Sequence, residues 1–176
     1  MAGDIVGGRA YLRVRPQVRV VARQAEPGDI AVLESLYRSL EGEMIALHSM
    51  WPLADGLDEP VSQSFADALD DPGTLVIIGE IDGYPFGFLL ARVERLLAQA
   101  DGELVGAIRL IYVDQEAREV ALGEEMREMA LQVLRSRGIT KFDAHVLPGH
   151  RLAKNFFEAG GFAARSIIMY HDDERE

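Results

Sequence analysis

Residues 110–123 read Leu-Ile-Tyr-Val-Asp-Gln-Glu-Ala-Arg-Glu-Val-Ala-Leu-Gly, and within them the chain changes its period. Glu103 to Val113 is rich in β-branched and other apolar residues, as a strand is. Past Asp114 the apolar positions fall at helical spacing. Leu122, Met126, Met129, Ala130, Val133 and Leu134 share one face, and Glu124, Glu125, Arg127, Glu128, Gln132 and Arg135 share the other. Gly138 fits the C-terminal cap of that helix, and Ile139 to Leu147 is again strand-like. A strand–helix–strand run predicts a right-handed crossover between parallel strands, with the helix starting at the carboxyl edge of the sheet. Unpaired N–H groups and the helix dipole make such a place attractive to anions.

On the N-terminal side, Val18 to Arg23 alternates as a first strand, and Pro27-Gly28-Asp29 supplies the start of a helix that runs from Ile30. Val61 to Leu69 gives a second, shorter helix after a loop at 51–60. Thr74 to Ile81, the turn Asp82-Gly83 and a strand from Tyr84 to about Leu96 make a hairpin. On the C-terminal side, Arg151 to Ala159 is a short helix, and Phe162 to His171 is expected to be a last strand. The order β-α-α-β-β-β-α-β-α-β implies an α+β chain in α/β/α layers, with a mixed, mostly antiparallel sheet and one β-α-β crossover. Residues 1–17 are expected to be a partly ordered leader, and 18–176 a single domain.

Composition narrows the function. The chain has 176 residues with 18 Lys+Arg against 29 Asp+Glu, a formal net charge of −11. That excess disfavours nucleic acid and an anionic membrane surface as partners. With no cysteine, the chain has no disulfide, no thiolate metal site and no cysteine nucleophile. No His/Asp/Glu spacing suggests a metal site, so none is expected. No apolar run approaches the ~20 residues of a membrane span, and no signal-peptide core opens the chain, so a cytoplasmic location is expected.

The stretch Arg118-Glu-Val-Ala121-Leu-Gly123 resembles the Arg/Gln-x-x-Gly-x-Gly/Ala turn of the GNAT superfamily of acyl-CoA-dependent N-acetyltransferases, with Ala121 in place of the middle glycine. Val146, His150, Ala153, Phe156, Phe157, Gly161 and Phe162 lie at the spacings of that family's later motif. The resemblance covers roughly residues 18–171. It implies a GNAT-like acyl-CoA N-acyltransferase fold and acetyl-CoA, or another short acyl-CoA, as co-substrate. The acyl group would pass directly to a primary amine in a ternary complex. The amine belongs to a small molecule or peptide, and a homodimer is a further expectation. A non-catalytic acyl-CoA sensor or protein-interaction module with the same fold is the alternative.

On this resemblance the cofactor-binding candidates are Tyr112, Val113, Arg118, Glu119, Val120, Ala121, Leu122, Gly123, His150, Lys154 and Phe157. Successive N–H groups of the turn would face pyrophosphate, and small residues let the backbone come close. Catalytic candidates are His150, Tyr112, Glu80 and His145. Phe157 stands where many members carry a proton-donating tyrosine, so His150 or Tyr112 would have to supply that proton. Each has a plainer alternative: a helix-start residue for His150, packing for Tyr112, a solvated strand carboxylate for Glu80 and a half-buried strand residue for His145. Arg118 binds phosphate or pairs with Glu116 or Glu119. Lys154 reaches phosphate or lies in solvent. Asp114, Glu116, Glu119, Glu124 and Glu125 crowd the turn with negative charge, and the orientation of Glu119 is the sharpest question. His48 and Trp51 lie in the segment expected to wall the acceptor, and acids at 55–67 hint at a cationic one.

Overall fold

A computed structural model describes residues 18–174. The leader expected at 1–17 lies outside the described residues. Five strands form one sheet in chain order: β1 (Val20–Gln24), β2 (Thr74–Ile81), β3 (Tyr84–Arg95), β4 (Leu104–Val113) and β5 (Lys141–Ala144). The first four are antiparallel neighbours, and β5 joins β4 in parallel, as the crossover reading requires. The β2–β3 turn places Asp82 and Gly83 at φ 52° and 84°, the left-handed region that a tight two-residue hairpin needs.

Helices cover both faces. On one lie α1 (Ile30–Leu47), the single turn α2 (Trp51–Ala54) and α3 (Val61–Asp70). Their apolar stripe of Leu33, Leu36, Tyr37, Leu40 and Met44 packs with Phe65, Phe88, Leu90, Leu110 and Tyr112. Gly42 does not interrupt α1. On the other face, α4 (Leu122–Ser136) lays Leu122, Met126, Ala130 and Leu134 against Ile77, Leu89 and Ile108. Each such side chain contributes roughly 1.5–3 kcal/mol of burial, so both layers rest on apolar packing. α5 (Arg151–Ala159) adds Phe157, which stacks edge-on with Phe156 and Phe162.

Two expectations need correction. The strand expected over 139–147 is only four residues long, although the His145 amide still reaches the Ile108 carbonyl at 3.0 Å. Leu147, Pro148 and Gly149 come after it without regular structure. The strand expected over 162–171 is absent, and residues 162–172 have no regular structure. Ile167, Ile168 and Met169 are exposed there. A run such as Ile-Ile-Met-Tyr favours a ladder, but a strand exists only where a partner supplies one.

Candidate functional site at the open end of β4

β4 extends well beyond its pairing with β5, which bonds to it only from Val105 to Ile108. One residue later, at Arg109, β4 carries an extra residue relative to β3: Leu90 faces Leu110, and Ala91 faces Ile108. A bulge of this kind bends a strand and re-aims the side chains beyond it. Past it, β4 continues alone on its β5 side to Val113. The Asp114 amide donates to the Phe86 carbonyl at 2.7 Å. By the alternation of an antiparallel ladder, Tyr112 and Leu110 therefore bond toward β3. Ile111 and Val113 turn their amides the other way, into the gap.

α4 begins at the mouth of that gap. Its N-cap is Ala121, which offers no side-chain bond and sits at φ 60°, ψ 16°. The first backbone bond of the helix is the Glu125 amide to the Ala121 carbonyl, 3.1 Å. The earlier N–H groups of the turn are thus open donors with the positive end of the helix dipole behind them. Alanine in the left-handed region costs roughly 1–2 kcal/mol, so the turn is held there against a preference. Gly123 has a packing reason. A Cβ there would come within 3.1 Å of the Phe156 ring, so glycine lets α5 lie against the start of α4.

The acids around this turn point outward. Glu116, Glu119, Glu124 and Glu125 are exposed, and Asp114 spends one oxygen on the Glu116 amide at 3.0 Å. Exposed carboxylates are screened over about 8–10 Å, so they weaken anion binding without blocking it.

Arg118 does not pair with Glu116 or Glu119. Its Nε donates to the Val113 carbonyl at 2.9 Å. Its Nη2 donates to both oxygens of Glu43 on α1, at 2.7 and 2.8 Å. Gln115 adds a third hydrogen bond to Glu43, from its amide nitrogen at 3.3 Å. The Arg118 guanidinium also lies 5.8 Å from the centre of the Tyr112 ring. Lys154 is engaged as well, with Glu158 one turn along α5 at 2.5 Å.

Two titratable groups stand beside this pair. Tyr112 is buried, and burial raises its phenol above 10.0 against a Ser39 hydrogen bond that lowers it. It therefore keeps its proton at neutral pH. His150 caps the start of α5 and is half-buried. Burial lowers its imidazole below 6.5; Glu43 pulls it up and Arg118 pushes it down. At neutral pH it is the free base, which suits it to accept a proton rather than to begin as the acid.

The other candidates lie apart. Glu80, on β2, pairs with Arg23 at 2.8 Å, and Arg23 also holds Asp29 at 2.8 Å. That network ties β2 to the start of α1, on the β1 side of the sheet. His145 is held at 3.4 Å from Arg109, whose other contact is Glu94 at 3.1 Å. Burial, then the Arg109 charge, lowers the His145 imidazole. A small cavity of about 30 Å³ opens beside Arg109, lined also by Asp55, Gly56, Leu57, Leu90, Arg92 and Leu110. Phe157 is buried in the core, where its ring serves packing, and Leu122 offers only its backbone. Val113 and Val120 are half-buried in the α4–α5 layer. Trp51 is buried against Tyr37, and His48 meets Tyr170 edge-on at 5.7 Å. Glu43 and Ser39 escaped the sequence reading. The only hint was a carboxylate bordering the apolar stripe of α1, and nothing linked it to an arginine 75 positions away.

The family model for the Acetyltransferase (GNAT) family matches residues 33–162. The chain belongs to that family. It is an acyltransferase, and the mixed sheet with its crossover is the fold of its structural relatives. An acetyltransferase from Vibrio fischeri is 25% identical, with a TM-score of 0.58 over 70% of this chain and 93% of that one. An acetyltransferase from Trypanosoma brucei is 20% identical, with a TM-score of 0.65 over 88% and 99%. An aminoglycoside N-acetyltransferase in complex with CoA is 16% identical, with a TM-score of 0.69 over 92% and 100%. At 20% and 16% identity the last two show the fold alone. No curated protein matches the chain. Among the described residues no cluster suits a metal ion, and no helix is long and apolar enough to cross a membrane.

Proposed function

We propose that this enzyme transfers an acetyl or other short acyl group from acetyl-CoA to a primary amine, by direct attack in a ternary complex. One observation carries the reading: the unpaired end of β4 opens beside the uncapped N-terminus of α4. A donor with a diphosphate and an amide-bearing arm fits that pairing, because one end needs N–H donors and the other needs a strand edge. The CoA held by an aminoglycoside acetyltransferase of the same fold supports the choice of donor.

The open N–H groups of residues 121–124 bind phosphate oxygens. The amides of Ile111 and Val113 hold the acyl arm, and one of them faces the carbonyl oxygen as negative charge develops there. The acceptor arrives as an ammonium, with a pKa of about 10 if it resembles lysine. His150, neutral at pH 7, takes that proton. As the C–N bond forms and the C–S bond breaks, Tyr112, still protonated, gives its proton to the departing sulfur, the role that Phe157 cannot fill. The second proton shed by the nitrogen restores the phenol, and His150 releases the first to solvent. The acceptor is a cationic small molecule or peptide, and the absence of cysteine removes any route through a cysteinyl enzyme. The single domain over 18–176, the cytoplasmic location and a homodimer remain part of this reading.

The test is a thermal-shift titration with CoA and acetyl-CoA, then a thiol-release assay over a panel of amines. A ligand that binds the folded state raises the melting temperature by mass action. No shift at millimolar CoA overturns the reading. Binding without thiol release for any amine turns it into a sensor.

A further inference from the structure

We propose that Glu43 is the binding site for the acceptor's ammonium group, and that Arg118 blocks it until phosphate draws the arginine away. The inference rests on the function proposed above and names the group that links its two substrates. Four observations lead to it. Glu43 and Arg118 come from α1 and from the turn before α4, and their pairing is two-pronged. Both side chains keep 27% of their surface exposed, so the pair sits at a mouth rather than in the core. The same guanidinium also caps the Val113 carbonyl, on the stretch of β4 that lacks a β5 partner. Finally, Arg118 lies three positions before Ala121, the residue that opens α4.

Most of the guanidinium is engaged in this geometry, with Nε on Val113 and Nη2 on both oxygens of Glu43, which leaves the Nη1 amino group to make the first contact with a second anion. A diphosphate at the start of α4 competes for the guanidinium with more charge than one carboxylate and has the helix dipole on its side. When Arg118 turns to phosphate, two groups are released together. The Val113 carbonyl becomes free to accept from an amide, and Glu43 is left with Gln115 alone. A carboxylate largely withdrawn from water and without its cation seeks another, and an ammonium is the class of ligand that fits. It would dock beside His150 and Tyr112, both of which lie within electrostatic reach of Glu43. Donor and acceptor then bind with positive coupling, and by linkage each tightens the other by the same factor.

The test titrates CoA into the wild type, Glu43→Gln, Arg118→Met and the double variant, by thermal shift and calorimetry. Glu43→Gln is expected to bind CoA about five- to tenfold more tightly, in the ordinary range of coupling between sites. In the Arg118→Met background the same change is expected to do little, since there is no arginine left to release. Spermidine and kanamycin serve as ammonium probes on CoA-loaded protein. The wild type binds at least one of them. Glu43→Gln loses about tenfold, and Glu43→Asp keeps part of the affinity, which guards against a folding defect. If the wild type binds CoA while Glu43→Gln binds it no better, the competition is overturned. If neither probe binds the loaded wild type, or Glu43→Gln binds them equally well, the ammonium site is overturned. Failure of the wild type to bind CoA overturns the proposed function itself, a different result.

Discussion

Two arginines organise this chain, and they are used differently. Arg23 on β1 holds Asp29 and Glu80, and its partners are mostly buried, at 15% and 18% exposure of their side chains. Its network joins a strand edge to a helix start and closes on itself, with the Asp29 carboxylate also taking the Glu26 amide at 2.8 Å. Arg118 holds Glu43 across an open gap, next to an uncapped helix, a neutral imidazole and a buried phenol. In the first arrangement one arginine holds both carboxylates, although Glu80 also borders an open pocket with Arg19, Val21, Asp82 and Gly83. In the second, Arg118 also holds the Val113 carbonyl and Glu43 also takes Gln115, and the pair is the one we propose a stronger anion displaces. An ion pair in a structure is therefore no indication of function until its surroundings show what else its members can bind.

Substitutions can break this contrast. The largest effect is expected on the Arg118 side: His150→Ala should lower kcat about 10²- to 10⁴-fold while CoA affinity changes little, the usual range for a general base. A thiol-release assay with a saturating amine reads it. Equal turnover would remove His150 from the chemistry. Next, Arg118→Glu places a second carboxylate against Glu43 and removes the phosphate partner. CoA affinity should fall about 10- to 100-fold, as charged partners of partly buried sites do when reversed. Arg23→Met tests the other side. It should cost about 1–2 kcal/mol of stability in a urea melt, by leaving Asp29 and Glu80 unpaired, with CoA affinity unchanged.

Acidity separates the two regions further. The Arg23 hydrogen bond holds Asp29 below 3.8, so its stabilisation is complete above that value and is lost as pH falls through the lower folded value. His150 lies below 6.5, so kcat/KM should hold through neutral pH and drop as pH falls through that lowered value. The smallest effect concerns the turn between the two motifs. Ala121→Gly should raise stability by up to about 1 kcal/mol, the relief of a left-handed alanine less the entropy of a freer glycine, read by calorimetry.

Much of the fold was legible. The hairpin at Asp82-Gly83, the amphipathic face of 122–134 and the crossover all come from local period and turn chemistry, which act over a few residues. The last strand was not legible, because Phe162 to His171 has the composition of a strand and no ladder to join. The site was legible in part. The turn from Arg118 to Gly123 and His150 were candidates through the resemblance to the family's two motifs. Phe157 could be recognised as lacking a hydroxyl but not as part of the core. Glu80 looked like a candidate base until Arg23, 57 residues earlier, was found bonded to it.

Near neighbours and composition were enough to set the period of most elements, the absence of a cysteine, and the turn that leads into α4. Packing alone decided where β5 leaves β4, that the acids of the turn face solvent, and that Glu43 closes on Arg118. Such outcomes depend on which side chains meet across the packed layers, and no local rule connects residue 43 to residue 118.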